Sequence, residues 1–349
     1  MRVAQIMLSS DLGGAEKSYI EIVRCLALQQ FKILTIGIRG GRAEQYFLGK
    51  ENICVKNILC LNSYDYSAVV QILYHLKTFN PNLIHCHLAR ATKFGSLAGK
   101  VLSIPVVSKT HNLVNPKYYR NTTKIIVTTD AQRKHMIDNG FQEDHLVKIP
   151  NFQSSKNIEN KNIIGKKKPS GDHFVVKSLG RFVKKKGFDN LIKAIVNLRN
   201  EGVAVSLSLA GAGPEKNALQ RLIDGSGHSK EITIMNWIDD INTYLNDADL
   251  FVLSSLEEPF GLVILDAMSM CIPILATKTQ GPLEVLNNEL AYFLETPDCV
   301  EIARQIKKVM RDPTRFSKAI KANKEFKNKY SSEAVIPMYR KLYSELLSY

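Results

Sequence analysis

Residues 173–214 read HFVVKSLGRFVKKKGFDNLIKAIVNLRNEGVAVSLSLAGAGP. His173–Leu179 is a short apolar run that predicts a strand. Phe188–Asn200 carries a helical period, and Ser206–Ala210 predicts a second strand. Both strands run into glycine, Gly180 and then Gly211 and Gly213. Strand, helix and strand joined by short turns form a βαβ unit, which builds a parallel sheet covered by helices on both faces.

The same alternation extends through the chain. Further strands are expected at Thr233–Asn236, Leu250–Leu253 and Ile274–Thr277. Upstream they are expected at Val3–Leu8, Lys32–Ile38, Asn82–His87, Val106–Thr110, Lys124–Thr128 and Val147–Ile149, with helices such as Ala15–Gln29 and Glu215–Asp224 between strands. A polar stretch, Gln153 to Asp172, separates the two sets and reads as a linker. The fold class is therefore α/β, with two Rossmann-like parallel-sheet domains, 1–152 and 153–330, facing across a cleft. A last helix at about 331–349 is expected to return to the first domain. In such sheets ligands bind beyond the carboxyl ends of the strands.

Composition narrows the function. The 349 residues are 45% hydrophobic and 23% charged, the balance of a globular protein. No apolar run approaches the roughly 18 residues that span a bilayer. The first ten residues lack the length and the small-residue cleavage site of a signal peptide, so a cytoplasmic location is expected. Six cysteines without CxxC spacing read as buried reduced thiols. His85 and His87 share a strand face, but no third metal ligand is suggested, so no metal is expected. The formal charge is +14, and residues 1–150 hold 19 Lys and Arg against 10 Asp and Glu. An anionic partner is implied. No basic stretch interleaved with aromatics and no recognition-helix signature supports nucleic acid. A basic first domain suits an anionic membrane surface, with Lys93, Lys100, Lys117, Arg120 and Lys124 as candidate contacts.

The strand ends carry the chemistry. Gly13 and Gly14, in Ser10–Glu16, follow the first strand and open a helix, which reads equally as a loop whose free N–H groups face an anion and as a plain strand-to-helix turn. The spacing is neither GxGxxG nor a P-loop. Arg181 and Lys186 flank the turn after His173–Leu179 and suit a diphosphate, the guanidinium forking onto two oxygens and the ammonium acting as a point charge. Gly211-Ala212-Gly213-Pro214 and Asn236-Trp237-Ile238-Asp239-Asp240 follow the next strands. In Glu257-Glu258-Pro259-Phe260-Gly261-Leu262-Val263-Ile264-Leu265-Asp266-Ala267-Met268 two acids bracket an uncharged run. With a helix starting over Pro259–Gly261, the N–H groups of Phe260, Gly261 and Leu262 would face an anion. Glu258 and Asp266 would then lie roughly 12 Å apart along a straight helix, too far for one metal and suited to two ends of one hydroxyl-rich ligand.

These four motifs, in this order, resemble the donor domain of the large retaining family 4 of glycosyltransferases, which has the GT-B architecture. The first half is similar through Gly13-Gly14-Ala15-Glu16, His85-Cys86-His87 and Thr110-His111-Asn112. The resemblance implies an acceptor-binding first domain and a second domain that binds a nucleotide sugar. It implies that Arg181 and Lys186 hold the diphosphate, Glu258 the transferred sugar, and Asp266, where the family has Glu, the ribose. His111 would lie near the donor sugar, and Gly14 would let backbone meet the diphosphate. Gly13, Gly211, Gly213, Trp237, Ile238, Phe260, Gly261 and Leu262 are the remaining expected donor contacts.

The family implies a glycan or lipid-linked acceptor, no cofactor and no metal, with peripheral attachment to the inner face of the membrane. The glycoside-hydrolase arrangement of two carboxylates about one bond does not suit this spacing. The alternatives are a nucleotide-sugar epimerase of the same architecture and, less favoured, a basic nucleic-acid-binding protein; a phosphorylase would need a cofactor lysine motif that is not found.

Overall fold

The computed structural model describes residues 1–154 and 173–347. It divides into two compact units, Met1–Ser154 with Ser332–Tyr349, and Ser155–Ser331. Most of the polar stretch Gln153 to Asp172, residues 155–172, lies outside the described residues.

The first unit runs β1 (Arg2–Met7), α1 (Gly14–Leu28), β2 (Lys32–Ile38), β3 (Ile53–Ile58), α2 (Ser67–Phe79), β4 (Leu83–His87), α3 (Leu88–Leu102), β5 (Val106–Lys109), β6 (Lys124–Val127), α4 (Asp130–Asp138) and β7 (Leu146–Lys148). The second runs β8 (Phe174–Leu179), α5 (Phe188–Asn200), β9 (Val205–Ala210), α6 (Lys216–Asp224), β10 (Ile232–Met235), α7 (Ile241–Leu245), β11 (Leu250–Leu253), α8 (Leu262–Ser269), β12 (Ile274–Thr277), α9 (Gln280–Val285), β13 (Tyr292–Leu294), α10 (Cys299–Arg311) and α11 (Arg315–Lys329). The final helix, α12 (Ser332–Glu345), belongs to the first unit.

Both sheets are wholly parallel, ordered β3-β2-β1-β4-β5-β6-β7 and β10-β9-β8-β11-β12-β13. Each is a Rossmann-like doubly wound sheet whose order reverses beside its first strand, between β1 and β4 and between β8 and β11. Alternation along the strands explains the two-sided cover. Leu250 and Val252 join the core under α5 and α10, while Phe251 and Leu253 join the one under α8 and α11. In the first unit Ala4 and Ile6 face α2 and α3, while Val3 and Met7 face α1 and α12.

Two strands, β3 and β13, were not expected from sequence. Both are edge strands, and β3 alternates half-buried with exposed positions instead of forming an apolar run. The cysteines also depart from expectation: none is disulfide-bonded among the described residues, but only Cys25 and Cys86 are buried and Cys54 is exposed. No described helix is long and apolar enough to cross a membrane.

Candidate functional site

Beyond β8 the chain makes a turn whose shape depends on glycine. A 3₁₀ turn over Lys184–Lys186 ends at Gly187, at φ +63°. A Cβ there would also stand 2.3 Å from the Ser254 carbonyl oxygen. Glycine therefore permits both the left-handed backbone and the approach of the loop after β11. That loop is stitched to the turn by Leu256 N–H donating to Lys185 O at 2.8 Å and Ser254 Oγ donating to Lys186 O at 3.0 Å.

The stitching brings Lys186 Nζ to 2.5 Å from Glu258 Oε2. Ser255 Oγ donates to the same oxygen at 3.3 Å, and Gly281 N–H donates to the Glu258 carbonyl at 2.8 Å. Lys186 is 19% exposed and Glu258 is 9% exposed, so the pair is largely desolvated. Sequence reasoning assigned the two residues to opposite parts of a ligand; the structure pairs them directly. Ser255 and Gly281, which fix Glu258, were missed, and only the Ser-Ser before the acids hinted at the first.

Arg181 is exposed and makes no ion pair with another described residue. Gly211 and Gly213 have a structural reason that their sequence reading lacked. A Cβ on Gly211 would lie 1.9 Å from Gly180 O, and one on Gly213 2.4 Å from Phe182 O. They let the ends of β8 and β9 close up, whether or not a ligand approaches. Trp237 is half-buried in the loop after β10, and Ile238 packs on the core beneath α8. Asp240 caps α7, accepting from Thr243 N–H at 3.0 Å.

The expected helix start over Pro259–Gly261 is corrected. Gly261 stands at φ +85° as N-cap, and α8 begins at Leu262. Phe260 is buried, its ring 6.3 Å from that of Tyr330 in an edge-on contact, so its side chain is core. Of the three N–H groups only that of Leu262 belongs to the helix. The straight helix assumed between the two acids does not form, because the chain turns at Gly261 before α8 begins. Asp266 lies on α8 and is 8% exposed.

In the first unit, Gly13 is the N-cap of α1, but its own N–H donates to the Glu16 carboxylate at 2.8 Å. That group is satisfied within the chain instead of facing an anion. Gly14 is exposed at the first helical position. Of the candidate membrane contacts, Lys93 Nζ donates to Ser63 O at 2.6 Å beside the Tyr64 and Tyr66 rings, and Lys124 donates to Asp144 O. Lys100, Lys117 and Arg120 are exposed.

His111 follows β5, half-buried, with Nε2 3.3 Å from His87 Nδ1. His87, His85, Gln5 and Lys109 are wholly buried among the apolar residues facing α12. Burial holds all three histidines well below their ordinary range, with Lys109 adding to the effect. Burial likewise lowers Lys109 to about 7, while its Nζ meets Tyr339 Oη at 2.8 Å.

A lysine depressed in the fold binds fewer protons than the unfolded chain between about pH 7 and its ordinary value of 10.5. Its contribution to stability is complete above that window and is lost as pH falls towards 7, at about 1.4 kcal/mol per pH unit. Urea-unfolding midpoints of wild type and Lys109→Met from pH 7 to 10 should show wild type gaining steadily on the variant. Parallel profiles would refute it. Among the described residues no group of three or more His, Cys, Asp or Glu side chains is placed to hold a metal ion.

Comparison with known proteins decides the family. Residues 159–327 match the model "Glycosyl transferases group 1", and residues 12–152 match "Glycosyltransferase Family 4". The chain belongs to the family 4 glycosyltransferases. The transferase is 27% identical to the lipopolysaccharide core biosynthesis glycosyltransferase LpsE of Rhizobium meliloti, covering 98% of each chain. It is 25% identical to the capsular polysaccharide biosynthesis glycosyltransferase CapM of Staphylococcus aureus, over 64% of this chain and 62% of that one. The fold matches Anabaena Alr3699/HepE, solved in complex with UDP-glucose, at a TM-score of 0.82 and 19% identity, over 99% of this chain and 100% of that one. The transferase thus has two Rossmann-like domains of the GT-B class.

Proposed function

We propose that the transferase moves a sugar from a UDP- or GDP-linked donor to a glycan or lipid-linked acceptor in the synthesis of bacterial lipopolysaccharide or surface polysaccharide. Transfer retains the anomeric configuration and needs no metal. The observation that carries the proposal is the Lys186–Glu258 pair, a cation and an acceptor-only carboxylate in contact beyond β8 and β11, at the switch point of the second sheet. Relatives named for lipopolysaccharide core and capsular polysaccharide, and a structural neighbour holding UDP-glucose, support the substrate classes.

Breaking the bond between the sugar's anomeric carbon and the diphosphate leaves negative charge on the phosphate and positive charge on the sugar ring. Lys186 and Arg181 meet the first. Glu258 holds sugar hydroxyls and faces the second. The departing phosphate takes the proton of the acceptor hydroxyl on the same face, so no protein nucleophile is used. Asp266 serves the ribose, with Gly211, Gly213, Trp237, Ile238, Phe260, Gly261 and Leu262 along the nucleotide. In the first unit, His111 and the backbone at Gly14 are the proposed contacts.

The test is NMR of the anomeric proton during turnover of an α-linked nucleotide sugar in excess chelator. An α-linked product is expected. A β-linked product would remove the retaining mechanism, and loss of turnover restored by divalent metal would remove the metal-free one. Epimerised donor in water alone would favour the epimerase.

A further inference from the structure

The face of the first sheet beneath α12 contains polar side chains that an apolar core does not need. Gln5 on β1 is the register neighbour of His85 on β4, and His87 is the neighbour of Lys109 on β5. Gln5, His85, His87 and Lys109 are all fully buried. From them a line of hydrogen bonds runs to the half-buried His111. Tyr343 Oη on α12 lies 2.7 Å from His85 Nδ1 and 3.3 Å from Gln5 Nε2. Gln5 Oε1 lies 2.8 Å from His87 Nε2, and His87 Nδ1 lies 3.3 Å from His111 Nε2.

We propose that His87, Gln5 and Tyr343 are positioning residues that hold His111 as the tautomer carrying hydrogen on Nε2, so that Nδ1 is its acceptor atom. Each link follows from what the preceding atom can do. An amide carbonyl oxygen only accepts, so His87 Nε2 carries a hydrogen. A neutral imidazole has one hydrogen, so His87 Nδ1 has only its lone pair. The contact between the rings then requires His111 Nε2 to donate, which leaves Nδ1 bare. Burial beside Lys109 keeps His87 neutral, as this sequence of bonds requires.

The amide of Gln5 is the pivot. Turned over, it would donate to His87 Nε2 and reverse every later bond. Tyr343 Oη can donate or accept, and it holds the amide in the stated sense by giving its own hydrogen to His85 Nδ1, 2.7 Å away, which leaves its oxygen to receive the amide hydrogen. A residue near the end of the chain therefore determines the protonated nitrogen of a histidine beyond β5, through contacts confined to the first unit. Under the proposed glycosyl transfer, and resting on it, His111 Nδ1 would accept a hydrogen bond from a sugar hydroxyl.

The test is ¹⁵N–¹H correlation spectroscopy of the imidazole rings in histidine-labelled protein at pH 8, without substrate. Wild type should show His111 with hydrogen on Nε2 and a bare Nδ1. Gln5→Leu removes the acceptor for His87, and Tyr343→Phe removes the group that orients the amide while keeping the ring against Phe31 and Tyr339. In both variants the His111 signals should move to those of a tautomer mixture. Hydrogen on Nδ1 in wild type would overturn the proposal, and so would an unchanged His111 tautomer in both folded variants. The wild-type spectrum decides alone if a variant does not fold. Because no nucleotide is present, failure here is distinct from failure of the glycosyltransfer proposal, which nucleotide binding tests.

Discussion

Lys186→Met should weaken nucleoside diphosphate binding by roughly 10- to 150-fold, the equivalent of one charge-assisted hydrogen bond of about 1.5–3 kcal/mol. It should also destabilise the protein, because Glu258 is 9% exposed and loses its counter-charge. Breaking a buried pair from one side costs about 3–5 kcal/mol, and the low end applies because Lys186 keeps 19% exposure. The double variant Lys186→Met/Glu258→Gln separates the two effects. It leaves no uncompensated buried charge, so most of the stability should return while nucleotide affinity stays low. Calorimetric titration and urea unfolding on the single and double variants measure both. Nucleotide affinity recovering together with stability would show that Lys186 acts only as a structural partner of Glu258.

Glu258→Gln should behave in the opposite way. It keeps the shape and the Ser255 contact but weakens charge-assisted bonds to a sugar whose charge changes during the reaction. With two such bonds weakened, kcat should fall by roughly 100-fold. Nucleotide affinity should hold or tighten, since the ion pair no longer competes with phosphate for Lys186. Asp266→Asn provides the contrast: a ribose contact is present in ground and transition states alike, so KM should rise with a smaller effect on kcat. Steady-state kinetics on the two variants decide it. Wild-type turnover in Glu258→Gln would refute the sugar-holding role.

Much of this architecture is legible in the residues. Apolar runs such as Leu250–Leu253 and Ile274–Thr277 are buried on both faces of a parallel sheet, so they stand out without alternation. The edge strands β3 and β13 do not, because an edge tolerates mixed exposure and short length. The turn residues Gly180, Gly187, Gly211 and Gly213 announce strand ends, yet spacing alone could not say whether Gly211 and Gly213 admit a ligand or a neighbouring backbone.

The Lys186–Glu258 contact was not legible, since it joins long side chains 72 residues apart through a turn and a loop that only the fold brings together. Nor was the start of α8, which depends on the left-handed backbone of Gly261. Gln5 and Lys109 look like strand residues of the wet face. Only the return of α12 over them shows that they are buried.

The central claim is that the loops beyond β8 and β11 hold the diphosphate of a nucleotide sugar. Isothermal titration of UDP and GDP into the full chain, in excess chelator, tests it most directly. One nucleotide should bind with a stoichiometry of one in wild type, and the affinity should fall roughly 10- to 150-fold in Lys186→Met. Absence of binding by both nucleotides, or equal affinity in wild type and a folded Lys186→Met, would contradict it.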